Sequence, residues 1–224
     1  METIDIIALT LGVAWASGIN LYAAVLTLGL LANGGYTELP EGLQILQDPL
    51  VIGAAGLMYC VEFFADKTPG VDTVWDSLHT FIRIPAGAML ALSAAQGMEI
   101  NQAAEFAALL LGGSLAAGTH LTKSGSRILI NASPEPVSNW TASVTEDIVV
   151  IGGLFAALNY PLLFVVAVVV MILMMVWLLP KIWRAVAAMF RKIGHWFRKD
   201  RDELEDPIKT FTIYTDQDRL DRQD

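Results

Sequence analysis

Seven ionisable side chains crowd the stretch Val61–Gly87, which lies between two apolar runs: Glu62, Asp66, Lys67, Asp72, Asp76, His79 and Arg83. A second set, His120, Lys123 and Arg127, ends another apolar run. A charge placed in hydrocarbon costs at least about 2.5–3.5 kcal/mol. Each of these groups therefore needs a partner, a water-filled cavity or an exit to the headgroups. On a helix, Asp72, Asp76, His79 and Arg83 follow i, i+4, i+7, i+11 and share one face, as do Glu62 and Asp66 at i, i+4. His120, Lys123, Arg127 and Asn131 share another, at i, i+3, i+7, i+11. The first stripe is mostly acidic and the second basic. Facing each other across a polar cavity, they would admit an ion or a small polar solute. Glu62, Asp66, Asp72 and Asp76 would bind a cation or proton, and Lys123 and Arg127 would be counter-charges or anion ligands; Lys67, His79, Arg83 and His120 complete the candidate site. The plainer alternative is a set of ordinary salt bridges at headgroup level. For Glu62, which precedes Phe63-Phe64 inside an apolar run, the functional reading fits better.

Other chemistry has little support. No Ser–His–Asp or Cys–His arrangement stands out, so the chain is not expected to be an enzyme. Three scattered histidines do not make a metal site, and no cofactor is implied. The run Gly118–Ser124 lacks the second glycine and preceding strand of a phosphate loop. The single cysteine, Cys60, excludes an internal disulfide.

The elements that must carry these residues are apolar. Hydrophobic residues make up 54% of the 224, charged ones 17%, and the mean hydropathy is +0.53, which is typical of a polytopic membrane protein. The expected spans are Ile4–Ala32, Pro49–Ala65, Ile84–Ala95, Ala103–Leu121, a short Asp147–Leu158, and Leu162–Leu179. Asp48-Pro49 reads as the cap and first-turn proline of the second, and Pro85 as a kink at the start of the third. The first apolar run is too long for a cleavable signal, and METID lacks its positive region, so the run is expected to stay in the membrane. Residues 181–199 hold six bases and no acid, interleaved with Trp183, Phe190, Trp196 and Phe197. They read as an amphipathic helix on an anionic leaflet, with a solvated extension of the last span as the alternative. Residues 200–224 form an acidic tail expected to be disordered. The formal net charge of −9 argues against nucleic-acid binding.

An internal repeat organises the spans. Leu11–Leu21 aligns with Leu111–Leu121 at five identical positions, and Asp48–Gly53 aligns with Asp147–Gly152 at nearly the same offset. Residues 1–102 and 103–180 then become two three-span halves. An odd number of spans inverts the second half, as in many transporters that bind at the interface between halves. Gly18 with Asn20, and Gly118 with His120, fall at equivalent places and read either as helix breaks exposing backbone or as close packing through small residues. If the basic block is cytoplasmic, six spans place both termini inside, and loops with Lys67 and with Lys123 and Arg127 face the same side.

The run Glu62-x-x-x-Asp66-Lys67-x-Pro69-x-x-Asp72-x-x-Trp75-Asp76 resembles the signature of a bacterial membrane family catalogued as domain of unknown function 4126, and the glycine of the first span fits it too. The likeness covers roughly Ile4–Leu179 and leaves the basic helix and acidic tail outside. It implies a membrane setting, but no activity.

The expectation is an all-α integral membrane protein of about six transmembrane helices in two inverted three-helix repeats, plus a C-terminal amphipathic helix. Its function is expected to be that of a small transporter or channel-like permease in the bacterial inner membrane. The alternative is a non-transporting scaffold or lipid-interacting protein whose charges are structural. Expected partners are the bilayer, anionic lipid at the basic helix, a small ion or polar solute, and a second copy in a homodimer.

Overall fold

The computed structural model describes residues 1–68, 70–132 and 136–204. Their regular elements are helical: α1 (Thr3–Asn33), a 3₁₀ segment (Glu41–Gln47), α2 (Pro49–Ala65), α3 (Val71–Ala95), α4 (Gln102–Asn131), α5 (Pro136–Asn159) and α6 (Pro161–Leu204). Local chemistry sets several boundaries. Asp48 caps α2, its carboxylate accepting from the Leu50 amide at 2.7 Å, with Pro49 in the first turn. Asn101 caps α4 through the Ala104 amide at 3.0 Å. Gly70, at φ +84°, turns the chain into α3, a backbone state that favours glycine. Prolines open α5 and α6.

The chain divides into residues 1–183 and 184–224. In the first unit α1 is central and packs against α2, α3, α4 and α5; the most extensive pairing is α3 with α4. The core gathers Leu9, Val13, Trp15 and Leu28 of α1 with Leu115, Val150, Leu154 and Phe164. Large apolar side chains on α6, among them Leu162, Leu163, Val166, Val169 and Leu173, point outward. An exposed apolar face of that extent belongs in a bilayer rather than in water.

Among the described residues four helices are long and apolar enough to cross a membrane: Thr3–Asn33, Val71–Ala95, Val137–Asn159 and Pro161–Lys192. The 3₁₀ segment and α2, bent by 68° at their junction, form a fifth if taken together. Its described residues are thus those of a helical membrane protein with four or five candidate spans. α4 is 30 residues long but carries Glu105, Lys123 and Arg127, and it is not among them.

Three expectations change. α3 is one helix from Val71 through Pro85, so proline removes one ladder bond without ending it, held by packing against α1 and α4. α4 continues to Asn131, ten residues past the expected end, because its polar C-terminal half is buried rather than looped out. α5 begins at Pro136 rather than Asp147 and has 24 residues, so the matched pair of short spans is lost. The helices expected at Ile4–Ala32 and Pro49–Ala65 fall within a residue or so of those bounds, although α2 by itself is not among the candidate spans.

In the second unit, residues 184–204 are helical, and Arg191 and Lys192 are exposed. The acidic tail from Glu205 onward lies outside the described residues, as does the proline of the loop signature, Pro69.

Candidate functional site: a buried ionic network

Four helices supply the site, α5 through Glu146 and Asn139. The acidic stripe of α3 meets the basic stripe of α4, and the end of α2 brings Glu62 and Asp66 against both. Glu62, Asp72, Arg83 and Arg127 are 0% exposed, Asp76 1%, Asp66 3% and Lys123 5%. Charges this deep persist only when paired. The pairing is extensive. Arg83 donates through Nη2 to Glu62 Oε1 and through Nη1 to Asp76 Oδ1 at 3.0 Å. Lys123 Nζ donates to Asp66 Oδ2 at 2.8 Å and lies 3.3 Å from Glu146 Oε2, 3.5 Å from Glu62 Oε1 and 3.8 Å from Asp76 Oδ1. Arg127 grips Glu146 with both prongs, Nη2 to Oε2 at 2.8 Å and Nε to Oε1 at 3.2 Å. Its Nη1 also reaches the carbonyls of Asp66 and Asn139.

The pairing is incomplete. Glu62 Oε2, Asp66 Oδ1, Asp76 Oδ2 and Arg83 Nε are buried and have no hydrogen-bond partner in the protein. Buried polar atoms are rarely left so.

A break in α1 adjoins the network. Asn20 leaves helical geometry (φ −147°, ψ 95°) and its Oδ1 accepts from the Ala23 amide at 2.9 Å, acting as an N-cap for the second half of the helix. The break frees carbonyls of the preceding turn. Lys123 donates to that of Ile19 at 3.0 Å, and Thr119 to that of Trp15 at 3.2 Å. Asn20 Nδ2 and Tyr59 OH donate to the two oxygens of Asp147 at 3.0 and 3.1 Å. The negative carbonyl end of the first half thus faces the Lys123 ammonium, with a capped positive end beyond it.

The sequence-derived residues divide as follows. Glu62, Asp66, Asp76, Arg83, Lys123 and Arg127 lie in one network. His120 joins its edge, Nδ1 3.4 Å from Arg83 Nη1 and Nε2 2.7 Å from Thr80 Oγ1. Asp72 is held by the Gly70 and Thr73 amides and by Asn131 at 2.8 and 2.9 Å. His79 contacts the Tyr22 hydroxyl and stacks on Trp75. Lys67 donates to the Phe63 carbonyl and Ser143 Oγ, and its ammonium sits over the Phe63 ring. Burial holds that ammonium below its ordinary pKa, against the pull of Asp147 and Asp66. Burial raises the Asp66 carboxyl, but Lys123 and Arg127 overcome this and hold it below the usual range.

Of the two candidate helix breaks, Asn20 is one and Gly118 is not: α4 stays helical there, and Gly118 gives room to Met175. Gly18 is a packing glycine, since a Cβ there would collide with Thr119 Oγ1 and the Ala116 carbonyl. Lys123 and Arg127 are interior to α4, and Lys67 is buried, so none serves as an exposed loop charge fixing orientation. The residues missed from sequence are Glu146, Asp147, Asn139 and Ser143 of α5. Their spacing at i, i+4, i+7, i+8 was a signal, hidden by placing the helix start at Asp147.

A cavity of about 260 Å³ leads to the network from the α1–α4–α6 side. Its walls include Trp15, Ile19, Met171, Met174 and Met175, with Lys123 and Glu146 at its polar end.

A helical bundle with outward apolar faces and an interior of ion pairs defines a polytopic membrane protein with a buried polar centre. The family model for the domain of unknown function DUF4126 matches residues 7–181, and the chain belongs to that family. No curated protein and no solved structure matches it.

Proposed function

We propose that this protein is a small membrane transporter or channel-like permease for an ion or small polar solute, and not an enzyme. The observation that carries the reading is the network itself: seven charged side chains joined inside the bundle, three of whose carboxylates each keep one buried oxygen without a protein partner. Intramembrane ionisable groups are costly and usually mark a pathway. The break at Asn20 and the cavity reaching Glu146, which is 19% exposed, support access to the network.

The finer picture is six crossings in two inverted halves, with both termini cytoplasmic in a bacterial inner membrane. Support for inversion is that Gly18 packs on Ala116 and Thr119, beside its own counterpart Gly118 in the repeat. Support for the orientation is the basic block of residues 181–199, which also suits anionic lipid. A homodimer fits a bundle this small.

The test is a ligand screen by thermal unfolding of the purified chain in detergent, with Asp76→Asn as control. A ligand at 100 times its dissociation constant stabilises by about 2.7 kcal/mol. Stabilisation by one ion or solute, lost in the variant, supports a site. A second reading, a salt-bridged scaffold, is favoured by the two-pronged Arg127–Glu146 pair, which is built for rigidity. It expects no ligand shift except with anionic lipid, and loss of function when residues 181–224 are deleted.

A further inference from the structure

The ion pairs connect four carboxylates, Glu62, Asp66, Asp76 and Glu146, to three cations, Arg83, Lys123 and Arg127. The network therefore holds one negative charge in excess. His120 does not cancel it: Arg83 faces its Nδ1, and a guanidinium can only donate, so that nitrogen keeps its lone pair. An unbalanced buried charge is unfavourable, and the group neutralises where it can.

The excess can be located. Glu146 has both oxygens engaged by Arg127, and Asp66 has Lys123 at 2.8 Å with Arg127 at 3.7 Å. Glu62 and Asp76 share one guanidinium, that of Arg83, and Lys123 stands farther off at 3.5 and 3.8 Å. Each keeps one buried oxygen free of any protein donor, Oε2 and Oδ2. Among the described residues no three acid, histidine or cysteine side chains converge closely enough to hold a metal ion. From the charge imbalance and these unpartnered oxygens we infer that the network binds one exchangeable proton, shared by Glu62 and Asp76 across Arg83. The proton adds to a carboxylate oxygen, forming one O–H bond and a neutral acid, and returns to water on release.

The groups that face this pair come from every neighbouring element: Tyr22 of α1, Tyr59 and Asp66 of α2 and its end, His79 and Arg83 of α3, His120, Lys123 and Arg127 of α4, and, through Lys123 and Arg127, Glu146 of α5. The proton's role as the carried or coupled ion rests on the transport reading; its binding does not.

The experiment is infrared spectroscopy of the full chain in liposomes at neutral pH, in H₂O and D₂O. Exposed carboxyls are ionised there, so a carboxylic-acid carbonyl band reports a buried proton. A band that shifts in D₂O and fades in alkaline buffer is expected. It should be lost in Glu62→Gln and also in Asp76→Asn, because either amide removes the single excess charge, and kept in the exposed control Glu41→Gln. In Lys123→Met, which adds a second excess negative charge, it should grow about twofold. No band in the folded wild-type chain, or a band that survives both amide variants, overturns the inference. The wild-type spectrum alone decides if a variant fails to fold. Solute flux without a band overturns the proton and leaves transport standing; a band without flux supports the proton and counts against transport.

Discussion

Replacing Arg83 with glutamine is the most informative structural perturbation. The guanidinium is fully buried and is the nearest cation to both Glu62 and Asp76, which are 0% and 1% exposed. Its loss takes the network from one excess negative charge to two and leaves both carboxylates with only Lys123, at 3.5 and 3.8 Å. Removing one partner of a buried ion pair costs about 3–5 kcal/mol. With two carboxylates affected, the upper end, about 5 kcal/mol, is expected. Glu62→Gln moves the charge the other way and keeps the side-chain shape, so its cost should be about 1–3 kcal/mol, that of weakened hydrogen bonding. The double variant restores the original imbalance. It should be more stable than Arg83→Gln alone by about 1–2 kcal/mol, whereas additivity would make it less stable than that variant. Reversible unfolding in mixed micelles measures all four corners of this cycle. If Arg83→Gln costs less than about 1 kcal/mol, or the double variant loses the sum of the two single effects, the network does not hold these charges as described.

Three further outcomes follow from the same geometry. Gly18→Ala places a methyl against Thr119 and the Ala116 carbonyl, and should destabilise by about 1–3 kcal/mol in the same unfolding assay, with Gly18→Val worse. Asn20→Ala removes the cap on Ala23 and a donor to Asp147, and should cost about 1–2 kcal/mol while shifting any pH dependence of flux. Asp66 is held below its ordinary pKa when folded, so its contribution is complete above the ordinary carboxylate range and is lost as pH falls through the depressed value. Asp66→Asn should therefore lower stability at neutral pH and flatten the acid limb of the stability profile below about pH 4, read by thermal unfolding across pH.

The stripes on α3 and α4 were legible from spacing alone, because charges at helical period beside apolar runs must turn inward when the other faces meet lipid. The meeting of Asp76 with Lys123 was also legible from their opposite sign, whereas Asp72 meets the neutral amide of Asn131. What the spacing did not reveal was depth. A polar C-terminal half such as His120–Asn131 looks like the end of a span, and only tertiary pairing turns it into buried helix. The same bias hid the start of α5: Asn139, Ser143 and Glu146 look like loop residues until Arg127 and Lys67 are placed beside them. Local cues served well where one residue decides, as at Asp48-Pro49 and Gly70. At Pro85 the helix runs on from Val71 to Ala95, because neighbouring helices outweigh a missing hydrogen bond. The Asn20 break was marked by its glycine and polar neighbours, whereas Gly118, similar in sequence, sits in unbroken helix.

Flux into liposomes carrying the purified chain tests whether the buried network is a passage for an ion or small solute. Proton movement would be followed with an internal pH dye and other solutes with radiolabel. Wild-type protein is expected to move one such species above the protein-free background, and folded Asp76→Asn to lose that movement. Background-level flux for every solute tried, or equal flux in wild type and Asp76→Asn, would contradict it.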